Sequence, residues 1–362
     1  MGQPDNLEKK PAVLHINLAR GWRGGEQQTW LLIRELSEAG YRQGLCGYAD
    51  APLVERVKAL DNVTVVQPHL CFLWPWGAAQ WSVAHAHEGR GVYLAWWLKK
   101  TLGLPYLVTR RMQHPPKPRV LTKAVYRGAD ALVGISSAAC RALESFVPNR
   151  EVNRIPSVYS GEKASPAAAS AIRQWYVQGA DSILVGHAGA LVDREKGQSI
   201  LIKACKQLRN IGYPIVLVLL GEGSDRGVFE QETRFCDWAH MPGHVDRVQD
   251  YFSAFDLFVF PSRHEGLGSV LLEAMAAKCA VVSTDVGGIP DIVRHNETGR
   301  LVPSGDADSL AAVIREAVDA ENETKRMVAN ALSLVEQQFS APAMASRYST
   351  SYQVIGQKTK LQ

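Results

Sequence analysis

The chain has 362 residues, of which 46% are hydrophobic and 21% charged, and its formal net charge is +4. That length suits two domains with a core each, and the composition is that of an ordinary globular protein, not of a disordered or fibrous one. So small a net charge does not by itself call for nucleic acid, and no run approaches the roughly 20 apolar residues that a spanning helix needs.

From the N-terminus, Met1 to Pro11 is polar and charged and lacks the apolar stretch of a signal peptide. Val13-Leu14-His15-Ile16-Asn17-Leu18 reads as a first strand. A helix is expected from about Glu26 to Ala39, with Leu32, Ile33 and Leu36 on one face and Gly40 as its stop. Further strands are expected at Val63–Val66, Val83–His87, Tyr106–Thr109 and Ala131–Ile135. Between Ser157 and Ala171 the pattern lapses into Ser, Gly, Lys, Pro and Ala, which reads as an interdomain linker. A second alternating series follows at Ile183–His187, Ile215–Leu220, Leu257–Phe260 and Ala280–Ser283. Strands that alternate with helices are the signature of parallel sheets covered by helices. The six cysteines (Cys46, Cys71, Cys140, Cys205, Cys236 and Cys279) form no C-x-x-C pair, and most sit among apolar residues. Reduced thiols in a cytoplasmic protein are the expectation.

The densest chemistry lies in Glu265-Gly-Leu-Gly-Ser-Val-Leu-Leu-Glu273. Leu257–Phe260 reads as a buried strand ended by Pro261-Ser262, so the order is strand, loop with Glu265, then a helix from near Gly268 to about Lys278. A helix N-terminus offers unpaired N–H groups and a positive dipole end to phosphate oxygens. Gly266 and Gly268 let the backbone approach a ligand. A lone pair of glutamates at this spacing is a weak signal, and two solvated side chains would explain it. The flanks change that reading: Gly221-Glu222-Gly223, Gly243-His244-Val245 and Tyr251–Asp256 lie upstream, with Thr284–Asp291 and Glu297–Val302 downstream.

Together these segments resemble the C-terminal half of the family 4 glycosyltransferases, the retaining sugar transferases of the GT-B fold. The resemblance runs from about Val13 to Tyr352 and is densest between Gly221 and Val302. It implies an α/β chain with two Rossmann-like domains whose parallel sheets face a central cleft. The acceptor-side domain would be residues 1–160, completed by a returning C-terminal helix at 339–362. The domain for the nucleotide-sugar donor would be residues 161–338.

The resemblance also assigns roles. Glu273 would bind the ribose hydroxyls, Glu265 the transferred sugar, and His244 and Val245 would lie beside the base. Gly223, Gly266, Leu267, Gly268, Ser269 and Val270 would complete the donor contacts. Lys196, followed by Gly197, matches the lysine that contacts the donor diphosphate. The arginine that usually precedes it is replaced by Ala190, and Arg194 is the nearest substitute or else a solvated partner of Glu195. Gly24 and Gly25 satisfy a tight turn by themselves; the resemblance implies contact with a phosphate or an acceptor sugar. Where many relatives carry a histidine near the sugar, this chain has Arg110 and Arg111, with His114 displaced. Arg110 is taken with Glu265 and Lys196 as the catalytic set, although no arginine can act as a general base.

No cofactor and no metal are expected, because metal-independent GT-B enzymes stabilise the leaving diphosphate with protein groups. The pair His85-x-His87 lacks accompanying carboxylates or cysteines, and a structural place at a strand end is expected for at least one of them. The donor is expected to be a nucleotide sugar, a UDP-sugar ahead of a GDP-sugar. From Gly89 to Ala129 there is no Asp or Glu but nine Arg and Lys residues, and Trp74, Trp76, Trp96 and Trp97 lie nearby. Solvated cations over core tryptophans would explain this, with at least one of Trp96 and Trp97 in the core. The acid-free run points instead to an anionic glycolipid or oligosaccharide acceptor and to peripheral contact with the inner membrane; the similarity of Leu14–Glu26 and Gly189–Asp193 to envelope-polysaccharide members of the family implies an acceptor such as a lipopolysaccharide core. Nucleic acid is disfavoured. The competing readings are a transferase for a soluble acceptor, a nucleotide-sugar epimerase and a catalytically silent nucleotide-sugar binder.

Overall fold

The computed structural model describes residues 10–73, 78–177, 179 and 181–358. Trp74 and Trp76 lie outside the described residues. The chain divides after Ser157 and after Ser340, so the C-terminal segment from Ala341 belongs with the N-terminal unit.

The first unit holds β1 (Val13–Ile16), β2 (Gln43–Cys46), β3 (Val63–Val66), β4 (Val83–Ala86), β5 (Tyr106–Arg110), β6 (Ala131–Gly134) and β7 (Val152–Arg154). They form one parallel sheet in the order β3-β2-β1-β4-β5-β6-β7. The second unit holds β8 (Ile183–Ala188), β9 (Ile215–Leu220), β10 (Ala239–Gly243), β11 (Leu257–Phe260), β12 (Ala280–Thr284) and β13 (Arg300–Val302), in the order β10-β9-β8-β11-β12-β13. Both sheets reverse their winding once, between β1 and β4 and between β8 and β11. In open parallel sheets a ligand binds outside the carboxyl ends of the strands at such a reversal. Topology therefore singles out the segments following β1, β4, β8 and β11.

Central strands such as Ile215-Val-Leu-Val-Leu-Leu220 are buried on both faces, which is why they read as continuous apolar runs. The strands that pattern alone does not find are β2, β7, β10 and β13. β2 buries Gln43 and Gly44, β7 is an outer strand with Asn153 and Arg154 exposed, β10 contains Pro242 and β13 buries Arg300. The lapse at Ser157–Ala171 is a linker only in its first half. A helix runs Pro166–Tyr176, with the Ser165 hydroxyl accepting from Ala168 N and Pro166 in the first turn. Ser-Pro followed by alanines is a strong helix start. The final helix, Ala341–Lys358, packs on the helix Gly24–Glu38 and on β4, burying Tyr348 and Tyr352.

Candidate functional site

After β8 the chain passes through Gly189 to Val192 into one helical turn, Asp193–Lys196, and then into the helix Gln198–Asn210. Gly197 joins the two with φ +68°, and a Cβ there would lie 2.4 Å from the Pro261 carbonyl oxygen. Only glycine fits that contact. It brings the turn after β8 against the loop after β11, and backbone bonds hold the two together: Arg263 N and His264 N donate to Glu195 O at 2.8 and 3.3 Å. Lys196 and Glu265 meet across this junction in an ion pair, with side chains only 19% and 13% exposed. The ammonium also lies 5.1 Å from the Phe260 ring centroid. Two residues 69 apart in sequence are thus one charged unit at the winding reversal.

The Glu265 loop ends at Gly268, whose φ of +81° starts the helix Ser269–Ala276 with no side-chain cap. The first-turn N–H groups of Ser269 and Val270 are therefore left for a ligand. Leu267 is buried and Gly266 half-buried, so the loop offers backbone, not side chains. On the next turn Glu273 is held by Ser160, whose N donates to Oε1 at 2.7 Å and whose Oγ donates to Oε2 at 2.9 Å. Burial raises the Glu273 carboxyl from 4.5 to about 7, against the lowering effect of the Ser160 bonds.

Gly221 and Gly223 pack directly on backbone: a Cβ would stand 2.1 Å from Gly189 O and 2.2 Å from Leu191 O. They keep the ends of β8 and β9 in contact. Gly243 closes the end of β10, His244 is exposed and Val245 half-buried. Arg194 is 84% exposed and lies 3.6 Å from Glu195, the solvated arrangement. The guanidinium held against this turn is that of Arg263, with Nε 3.3 Å from Asp193 O and Nη2 3.6 Å from its carboxylate. Arg263 belongs to no sequence motif, and its one signal is its place two residues before Glu265. His187 likewise stands in no motif; it is buried in β8, donates from Nδ1 to Val259 O at 3.0 Å, and is lowered by burial to about 4.

In the first unit, Gly24 and Gly25 are the opening residues of the helix Gly24–Glu38, and the Glu26 carboxylate accepts from Arg23 N at 3.0 Å. Arg110 donates to His114 O at 2.7 Å and so ties down its own loop. His85 and His87 are joined by His15, and nitrogens of the three lie within 4.8 Å of one another. They are the described residues with metal-ligand spacing, and most of their nitrogens already have protein partners. His85 meets Tyr352 OH at 2.6 Å and Thr109 Oγ1 at 2.8 Å. Gln43 Nε2 donates to Ile33 O, which turns Oε1 toward His15 Nε2 at 3.0 Å. His15 Nε2 therefore carries the proton, and its bare Nδ1 accepts from His87 Nε2 at 2.9 Å. His87 Nδ1 is left as an unpartnered lone pair in the interior. Burial lowers all three imidazoles, His15 to about 4, so they are neutral at pH 7.

Residues 172–333 match the family described as Glycosyl transferases group 1. The chain is 28% identical over 176 residues to the capsular polysaccharide biosynthesis glycosyltransferase CapM of Staphylococcus aureus, which covers 48% of this chain and 46% of that protein. It is 32% identical over 178 residues to the lipopolysaccharide core biosynthesis glycosyltransferase LpsE of Rhizobium meliloti, covering 47% and 49%. The matched part thus spans about half the length of these two relatives. Among solved structures it is similar to Anabaena HepE in complex with UDP and glucose, with a TM-score of 0.78, 19% identity, and coverage of 95% of this chain and 100% of the other.

Proposed function

We propose that the chain, whose residues 172–333 match the group 1 glycosyl transferases and whose two parallel-sheet units have the GT-B fold, transfers a sugar, with retention, from a nucleotide sugar to an envelope glycolipid. The observation that carries the proposal is the Lys196–Glu265 pair beside the uncapped N-terminus of the helix Ser269–Ala276, at the winding reversal of the second sheet.

The chemistry follows from that placement. Breaking the bond from the anomeric carbon to the diphosphate puts added negative charge on the leaving group. Lys196 and the first-turn N–H groups stabilise that charge as it develops, without a metal. Glu265 accepts hydrogen bonds from the transferred sugar and fixes it against the departing phosphate. Glu273 accepts from the ribose hydroxyls, with Ser160 holding its carboxylate in one orientation. The leaving phosphate takes the acceptor proton on the same face, so the protein's share is positioning and electrostatics. A UDP-sugar donor is supported by the structural neighbour that holds UDP and glucose.

The acceptor reading rests on the first unit. In the acid-free run Lys117, Arg119 and Lys123 are exposed, and among them Met112, Val120 and Leu121 are 55%, 90% and 51% exposed. Cations interleaved with outward apolar side chains suit an anionic lipid surface. Trp96 and Trp97 pack against the core instead. Among the described residues no helix is long and apolar enough to cross a membrane, so contact at the cytoplasmic face of the inner membrane would be peripheral. The name of the Rhizobium relative supports a lipopolysaccharide-core acceptor.

The exposure of Arg194 favours a second reading, a silent nucleotide-sugar binder, because the substitute for the missing arginine points into solvent. One assay separates the two. The purified chain is incubated with UDP-glucose, UDP-galactose, UDP-N-acetylglucosamine and GDP-mannose, and slow donor hydrolysis is followed. Release of nucleoside diphosphate that Lys196→Ala abolishes supports a transferase; tight binding with no release supports the binder.

A further inference from the structure

The second unit has a cavity at the end of its sheet away from Lys196 and Glu265. Its volume is about 480 Å³, within the range of small-molecule sites. It lies at the amino ends of β8, β11 and β12, where Ile183, Leu257 and Ala280 are the first residues of their strands. The helices Pro166–Tyr176, Ala307–Asp319 and Glu321–Gln338 supply further walls. The floor is apolar, formed by Ile183, Phe255, Leu257, Ala280, Val318 and Val328.

The charges around this floor do not balance. Arg173 pairs with Asp256 at 3.0 Å, and Asp256 also accepts from Leu184 N at 2.7 Å, so that pair ties the helix Pro166–Tyr176 to the sheet. Lys325 pairs with Glu321 at 2.5 Å along their own helix. Lys278 is the lining cation whose ammonium has no ion-pair or hydrogen-bond partner among the described residues. It follows the helix Ser269–Ala276 with φ +61°, a position at which glycine is the usual residue. The other non-glycine residues with positive φ among those described are Asn149 and Asn296, and asparagine tolerates that conformation. A lysine there bears backbone strain that glycine would not, and it sets one unpaired positive charge at the edge of an apolar cavity.

We propose that this cavity is a second small-molecule site, for a monocarboxylate with an apolar body, whose carboxylate meets the Lys278 ammonium while its body lies on the apolar floor. One surplus cation matches one negative charge; a phosphate group, with about two, would leave its second charge unmatched. The site does not rest on the transferase reading. β11 runs from the cavity at Leu257 toward the Glu265 loop, and the helix Ser269–Ala276 leads back to Lys278. A ligand there is held at the far ends of the strand and helix that carry the Glu265 loop and Glu273.

The test titrates the full chain with 4-phenylbutyrate, 4-phenylbutanol and acetate by calorimetry, alongside Lys278→Gly, Val328→Trp and Lys196→Ala. Lys278→Gly removes the cation and relieves the positive φ, so this variant should melt no lower than the wild type. 4-Phenylbutyrate should bind the wild type more tightly than 4-phenylbutanol or acetate does. Lys278→Gly should weaken it by about tenfold, the lower end for a hydrogen bond to a charged group, and should leave 4-phenylbutanol unchanged. Val328→Trp fills the cavity and should abolish binding of both. Lys196→Ala should bind 4-phenylbutyrate as the wild type does. No binding of 4-phenylbutyrate by the wild type, equal affinity in Lys278→Gly, or binding that survives Val328→Trp overturns the site. Loss of binding in Lys196→Ala would place the ligand at the donor loops and overturns it equally.

Discussion

Ser160 donates to both carboxylate oxygens of Glu273, from its backbone N to Oε1 at 2.7 Å and from Oγ to Oε2 at 2.9 Å. The bond spans 113 residues and places the chain entering the second unit against the helix that bears the proposed ribose ligand. Burial nonetheless raises the carboxyl to about 7. Because the folded value lies above the unfolded 4.5, stability from this group is full below about pH 4.5 and declines as pH rises through 7. The loss is on the order of 2 to 3 kcal/mol by pH 8. Glu273→Gln should flatten that decline in denaturant titrations at pH 5 and pH 8. UDP binding to the wild type should tighten as pH rises through 7, since ribose hydroxyls donate to the ionised form. Unchanged UDP affinity in Glu273→Gln would end the ribose assignment.

The Lys196–Glu265 pair separates stability from turnover. Lys196→Ala leaves a mostly buried carboxylate without its cation, a loss of about 1–3 kcal/mol. Turnover should fall on the order of 10² to 10³, as for one missing charge-stabilising donor. The double variant Lys196→Met with Glu265→Gln should recover most of the stability and none of the turnover. Chemical denaturation with single-turnover kinetics reads both, and near-normal turnover in folded Lys196→Ala removes the residue from the site.

Gly197→Ala should damage the site without touching a charge. Its φ of +68° costs an alanine roughly 1 kcal/mol, and the new Cβ would stand 2.4 Å from Pro261 O, forcing the two loops apart. Gly212→Ala is the control, because that glycine has φ +97° but open space around it. The expected result is a larger loss of stability in Gly197→Ala and a loss of turnover in that variant alone.

Replacing Lys117, Arg119 and Lys123 together by Ser should weaken binding to vesicles of phosphatidylglycerol while sparing donor hydrolysis. Wild-type binding should also fall with salt, since exposed charges are screened over about 8 Å at physiological ionic strength. Equal sedimentation of the wild type with phosphatidylglycerol and phosphatidylcholine vesicles, or with neither, would return these cations to ordinary solvated surface.

Sequence alone determined the local half of this protein. Apolar runs such as Ile215–Leu220 announce buried parallel strands, and Glu265-Gly-Leu-Gly announces a loop feeding a helix, because strand burial and helix entry are set by neighbours within a few residues. Charge composition marked Lys117, Arg119 and Lys123 for the same reason. Pairings across 69 to 113 residues were decided by tertiary structure: Lys196 with Glu265, Ser160 with Glu273, and His15 with His87. No spacing rule encodes them, since strand order brings β8 beside β11 and β1 beside β4 only once the sheets are wound. The choice between adjacent arginines belongs to that level as well. Arg110 and Arg111 are equivalent in composition, but opposite directions of consecutive side chains at a strand end send one to the His114 carbonyl and the other across Gly25.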